Sequence, residues 1–380
     1  MTDDPPNPAL LPAGLADLLP PEAEQEALLV ERLAESFARH GYERVKPPLL
    51  EFEDSLFAGS GAAMAEQTFR LMDPVSQRMM GLRADTTPQV ARVAATRLAG
   101  VPRPLRLSYA GQVLRVRGSE LAPARQLPQA GIELIGVDNP AADAEVAAVT
   151  AEALRALGIT GASLDITMPR MAPALLDAAG VGGEARRRLA HALDRKDAAA
   201  VAELGAAAGM PPSLLPVLLA AAGPVDGALA ALEAADLPPA ARAMADNAAA
   251  VVAALRALEP DLRITLDPVE FRGLRYHTGV AFTVFGEGMS GELARGGRYI
   301  SGEEPATGMT LYPDALLRAV PAAALRPRVF VPLGARPAAL AALRGQGYAT
   351  VRALSAADTP ARLRCTHVMR ADGEPAPLEN

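Results

Sequence analysis

Apolar positions recur at helical spacing soon after the chain begins. Within residues 22–40 (EAEQEALLVERLAESFARH), Leu28, Leu29, Leu33 and Phe37 fall on one face and predict an amphipathic helix that Gly41 stops. GYERVKPPLLEF then reads as a strand broken by Pro47-Pro48, which confines it to a sheet edge or an interface. QTFRLMDPVSQRMMGLR, residues 67–83, predicts a hairpin turning at Asp73-Pro74. TTPQVARVAATRLAG predicts a helix with Thr86 or Thr87 as N-cap and Pro88 in its first turn. RPLRLSYAGQVLRVRGSELAPARQLPQAGIELIG, residues 103–136, reads as two long strands and a loop, and a further helix starts at Asn139.

From about 170 to 258 the pattern is helical, Ala- and Leu-rich, and reads as a helical insertion. Strand patterns return at 262–268 and 276–285, and a strand then a helix close this part at 306–320. GGRY at 296–299 reads as a tight turn. Residues 1–320 are thus expected to form a mostly antiparallel sheet with flanking helices, an α+β core. Residues 328–380 read as a small C-terminal α/β unit whose last residues, GEPAPLEN, look disordered.

Composition narrows the function. The 380 residues are half hydrophobic, the net charge is −7, and aromatics make up 4% with no Trp. That balance disfavours nucleic acid or an anionic membrane as a bulk electrostatic partner. One cysteine, Cys365, builds no disulfide framework, and the four scattered histidines leave no expected metal site or cofactor. Cys365 reads as a small buried hydrophobe, and Arg186–Arg188 as a solvated helix face. The N-terminus lacks a signal-peptide pattern and no apolar run reaches spanning length, so a cytoplasmic chain is expected.

The candidate chemistry is concentrated on few residues. Arg115 and Arg272, on strands expected in one sheet, suit a carboxylate or phosphate. Asp85, Gln129 and Glu133 are acceptors suited to an ammonium group. On their own these residues are better read as surface ion pairs at a sheet edge, which stabilise little.

A wider pattern favours the pocket. Residues 12–20 (PAGLADLLP), 83–97, 103–136, 271–279 (FRGLRYHTG) and 295–302 (RGGRYISG) resemble, in order and spacing, class II histidyl-tRNA synthetases, across roughly residues 10–320. The resemblance implies that Asp85, Thr87, Gln129 and Glu133 face histidine and that Arg115 meets its carboxylate or an adenylate phosphate. It implies that Arg272 promotes activation, that Tyr276 and His277 line the pocket, and that residues 22–50 form a self-dimer interface.

Departures from the synthetase pattern are pointed. Arg117 stands where a glutamate contacts adenine. Tyr312, Pro313, Asp314 and Ala315 stand where Gly-Leu-Glu-Arg carries the arginine that grips ATP, with Arg318 three residues on. Arg275 and His277 replace the usual Asp and second Tyr. Sixty residues follow Val320, against an anticodon-binding domain of about one hundred. LPAGLADLLP and LRADTTPQVAR look more like the regulatory subunits of ATP phosphoribosyltransferase, a family paralogous to these synthetases. That resemblance implies a non-catalytic chain bound to a short-form ATP phosphoribosyltransferase catalytic subunit, a hetero-octamer, histidine as a feedback effector, and no tRNA. The alternative is a degenerate or active synthetase-like enzyme that activates an amino acid with ATP.

Overall fold

The structure, a computed structural model, describes residues 10–118, 123–270, 276–320 and 326–378. Two compact units divide the chain, Met1–Pro321 and Ala322–Asn380.

The first unit begins with α1 (Glu22–Arg39), β1 (Glu43–Arg44), β2 (Leu50–Phe52), α2 (Glu53–Leu56), β3 (Arg70–Met72), β4 (Met79–Leu82) and α3 (Thr87–Ala95). It continues through β5 (Leu105–Leu114), β6 (Gln126–Ile135), α4 (Pro140–Ala156) and β7 (Ser163–Thr167). Then come α5 (Met171–Ala178), α6 (Gly183–Asp194), α7 (Ala198–Ala207), α8 (Leu214–Ala220), β8 (Gly223–Pro224), α9 (Val225–Ala234) and α10 (Pro239–Leu258). It ends with β9 (Arg263–Asp267), β10 (Ala281–Phe285), β11 (Glu292–Ser301), β12 (Glu304–Leu311) and α11 (Pro313–Ala319).

Among the described residues nine strands form one sheet in the order β1-β5-β6-β12-β11-β10-β7-β9-β8. β1 with β5 and β7 with β9 pair in parallel; the other neighbours are antiparallel. Pro47-Pro48 acts as expected: the chain leaves the edge strand β1 there and starts a second sheet, β2-β4-β3, whose β3–β4 hairpin encloses Asp73-Pro74. The mostly helical stretch contributes one strand, β8, to the sheet's far edge.

The strand period of two sorts the residues onto two faces. Ala130, Ile132 and Leu134 of β6 join Met309 and Leu311 of β12 and Phe282 of β10 in the large core, with α1, α4 and α10 packed against it. The residues between them, Gln129, Gly131 and Glu133, look the other way. On that face Leu105, Leu107, Tyr109, Ile135, Tyr299 and Ala306 pack under Val90 and Ala94 of α3. Arg298 fastens the two layers. Buried on β11, it bonds Asp143 of α4 at 2.9 Å, Asp138 at 3.0 Å, and the carbonyls of Val137 and Asn139 at the start of α4.

Three expectations need correction. GGRY is not a turn: Gly296–Tyr299 lie mid-strand in β11, in register with Thr307–Met309 and Ala306 of β12. Residues 276–280 precede β10, so the strand is shorter than the 276–285 pattern predicts. Of GEPAPLEN, the described residues 373–378 are not structureless, because Pro375–Pro377 pairs with the strand at His367–Met369.

The second unit comprises β13 (Arg328–Val331), α12 (Pro337–Gly345), β14 (Ala349–Arg352), β15 (His367–Met369) and β16 (Pro375–Pro377), with strand order β14-β13-β15-β16. Val329, Val331, Leu340, Leu343 and Met369 form a core under α12. Phe330, Ala353 and the buried Cys365 form another, as a small hydrophobe should.

Candidate amino-acid site

The α3 face of the sheet carries the site, and its register sets the geometry. Glu133 of β6 lies beside Gly308 of β12, which lies beside Gly297 of β11. Two glycines in a row across three strands leave a trough. A Cβ on Gly308 would collide with the Glu133 carboxylate, and one on Gly297 would stand 2.8 Å from the His277 ring. Gly297 also has φ +138, a conformation side chains rarely adopt. The Glu133 carboxylate and the His277 ring therefore approach the glycines from two sides and border the trough. One strand over, a Cβ on Gly131 would meet the Tyr109 ring at 2.5 Å.

Neutral hydroxyls hold Glu133. Thr87 Oγ1 donates to Oε1 at 2.9 Å and Tyr299 Oη to Oε2 at 2.9 Å. Tyr109 Oη sits 3.3 Å from Thr87 Oγ1 and 2.6 Å from Thr310 Oγ1, extending the network onto α3 and β12. Glu133 is 1% exposed. Burial pushes its carboxyl up to about 8; the two hydroxyls oppose the rise and nearby Asp85 adds to it. Burial likewise raises Tyr109 and Tyr299.

Asp85 closes the turn into α3, with Oδ1 accepting from Thr87 N–H at 3.1 Å. Burial raises its carboxyl too, opposed by the Thr87 N–H and then by Arg115. Gln129 has a structural duty that its sequence context hides. Its Oε1 accepts from Thr86 N–H at 3.1 Å and Thr86 Oγ1 at 3.0 Å, so it straps β6 to the start of α3. Its amide NH₂ donates to the Asp85 carboxylate, so Gln129 also holds that acid in place.

The structure thus brings Asp85, Thr87, Gln129 and Glu133 together, and adds Tyr276 and His277. The Tyr276 and His277 rings stack at 3.9 Å, and Tyr276 meets Tyr299 edge-on at 6.3 Å. His277 is 1% exposed while Tyr276 is 42% exposed, so Tyr276 is the rim and His277 the floor. Arg115 is not on a strand of the sheet as expected. It lies one residue past β5, in a single bridge with Thr68, and its Nε donates to Ala84 O at 3.3 Å. Arg272 and Arg275 lie outside the described residues.

Sequence reasoning passed over Tyr109, Tyr299, Thr310 and Gly308. The period of two along β5 and β6 was the available signal for Tyr109; the others depend on the pairing of β6 with β12 and β11. As a whole the arrangement offers a buried carboxylate, a half-buried one and phenols to nitrogen donors. Of the residues that depart from the synthetase pattern, Arg117 is exposed, Ala315 is 6% exposed, and the exposed Arg318 of α11 pairs with Asp314 at 3.7 Å.

Comparison with known proteins decides the family. The histidyl-tRNA synthetase family profile matches residues 14–316. The ATP phosphoribosyltransferase regulatory subunit of Paramagnetospirillum magneticum is 56% identical over 97% of each chain, and that of Gluconobacter oxydans 55% over 98% of each. The chain belongs to the ATP phosphoribosyltransferase regulatory subunit family. A solved structure titled as an ATP phosphoribosyltransferase regulatory subunit/histidyl-tRNA synthetase, from Bacillus halodurans C, matches with TM-score 0.81 at 25% identity, covering 95% of this chain and 97% of that one. The histidyl-tRNA synthetase of Nostoc sp. PCC 7120 shares the fold, with TM-score 0.77 at 19% identity over 96% of this chain and 92% of that one. The regulatory subunit family therefore has the class II synthetase architecture expected from the motifs. No helix among the described residues is long and apolar enough to cross a membrane.

Proposed function

We propose that this chain is the regulatory subunit of a cytoplasmic ATP phosphoribosyltransferase and is not itself an enzyme. The near-full-length identity to curated regulatory subunits carries the reading. In it the chain joins a short-form catalytic subunit, in a hetero-octamer, to run the first step of histidine biosynthesis, and conveys activation and histidine feedback. Histidine occupies the trough, its charged nitrogen against Asp85 and Glu133 and its carboxylate toward Arg115 and Arg272. Effector binding shifts the assembly only through unequal affinity for its two states, typically a coupling of about 1–3 kcal/mol.

The ATP side supports a regulatory role. An alanine cannot replace a guanidinium on a phosphate, and losing such a donor costs about 10²–10³ in rate. The alternative, an enzyme activating an amino acid with ATP, has the synthetase profile behind it but must work without that arginine. Self-association through residues 22–50 is supported by the surface there. Leu28 and Leu49 are 55% and 54% exposed, and a groove of about 460 Å³ runs between α1 and β1, lined by Leu28, Glu31, Ala34, Tyr42 and Arg44.

The test is phosphoribosyl transfer to ATP by the short catalytic subunit of the same organism, with and without this chain, then with histidine. Activity that rises with the chain and falls with histidine is the expected outcome. A catalytic subunit indifferent to the chain, and no co-elution of the two, would overturn the assignment.

A further inference from the structure

Glu133 is an unusual group on which to dock a cation. Its oxygens meet only neutral hydroxyls, Thr87 from α3 and Tyr299 from β11. With the acid protonated, the Thr87 hydroxyl accepts the acid proton and turns its own toward Tyr109 Oη. Among the described residues, the elements around it bring few charges. Tyr109 comes from β5, Thr310 and Gly308 from β12, and the Tyr276–His277 pair from the segment before β10. The second carboxylate, Asp85, lies before α3 and is the nearer neighbour of Arg115. Arg295 of β11 pairs with Glu292 at 3.3 Å. On the opposite face Tyr42 also senses Glu133, while it donates to Glu145, itself paired with Arg106. Among the described residues no cation hydrogen-bonds Glu133. A trough with a fully buried Glu133, a second carboxylate and only hydroxyl partners does not hold two negative charges at low cost.

We propose that the pocket exchanges a proton for its ligand. Glu133 stays neutral in the empty trough, and gives its proton to solvent when a positively charged nitrogen of the ligand docks against it. Resting on the reading that histidine occupies this trough, the exchange makes effector binding pH-dependent. Below the pH at which Glu133 ionises, each unit of acidification weakens binding by up to about tenfold, because the ligand must first expel the proton. The feedback signal is thereby tied to intracellular pH, with relief of inhibition as the cytoplasm acidifies.

Two measurements on the full chain decide it. The first needs no ligand: a carbon-13 NMR titration of glutamate side-chain carboxyls, with Glu133→Gln identifying the Glu133 resonance. A titration near pH 8 is expected. A resonance already ionised at pH 7 overturns the exchange and leaves the histidine pocket untouched. The second is calorimetry of histidine binding at pH 7 in buffers of different ionisation enthalpy. Release of about one proton per histidine is expected. Binding with no proton released also overturns the exchange. A protonated Glu133 with no histidine heat at millimolar ligand removes the pocket reading and the exchange with it.

Discussion

At the scale of single residues the site is shaped by what is missing as much as by what is present. Glu133 reaches its position because Gly308, directly across in β12, has no side chain. Gly308→Ala is therefore expected to displace the carboxylate, break its bonds to Thr87 and Tyr299, and abolish the response to histidine. The overpacking itself costs about 1–3 kcal/mol, so the variant should fold, with cooperative thermal melting at a lowered temperature. A variant that melts cooperatively yet keeps the full histidine response would sink this account. That Asp85, Thr87, Gln129 and Glu133 come together was legible in the sequence through the resemblance of their motifs to the synthetase family. Their division of labour was not. That Gln129 spends its carbonyl on Thr86 follows from the approach of α3 to β6, across 43 residues of chain.

At the scale of elements, local rules held where the deciding partners were near in sequence. The helix at 22–40, the break at Pro47-Pro48 and the hairpin around Asp73-Pro74 appear as their patterns predict, except that Leu28 stands exposed, off the helix's buried face of Leu29, Leu33 and Phe37. GGRY misled because a diglycine resembles a turn; only the neighbouring strands, crowding Gly296 and Gly297 from both sides, show that the glycines serve close approach. Thr86 is a similar case. It occupies the N-cap position of α3, but no side-chain cap bond forms, since its hydroxyl is committed to Gln129. α4 starts in the ordinary way. Asn139 Oδ1 accepts from Ala142 N–H at 3.0 Å, and Pro140 follows. Asn139→Ala should thus destabilise the first unit by about 1 kcal/mol. Because the Asn139 bond to Arg298 uses the backbone carbonyl, the loss should stay at that level in urea unfolding. A cost several times larger would mean that the Arg298 clamp had failed with the cap.

At the scale of the whole molecule, the sheet separates two tasks. One face buries the large core under α1, α4 and α10; the other carries polar residues under α3. Holding an acid inside the second face has a cost that depends on pH. Unfolded, Glu133 titrates near 4.5; folded, near 8. Between those values the folded chain retains a proton that the unfolded chain has lost, so this group's contribution to stability falls as pH rises. The slope is about 1.4 kcal/mol per pH unit at most. Carboxylates shifted the other way, such as Glu145 beside Arg106 and Glu304 beside Arg103, lose their contribution only as pH falls through the acid range, below the window in which Glu133 acts. Glu133→Gln keeps the shape and removes the titration. Relative to the native chain, the variant should gain stability between pH 5 and pH 8, by on the order of 2–4 kcal/mol in urea unfolding. An offset between the two that stays constant across this range would mean that Glu133 ionises freely in the folded chain, and that the trough is far wetter than its packing implies.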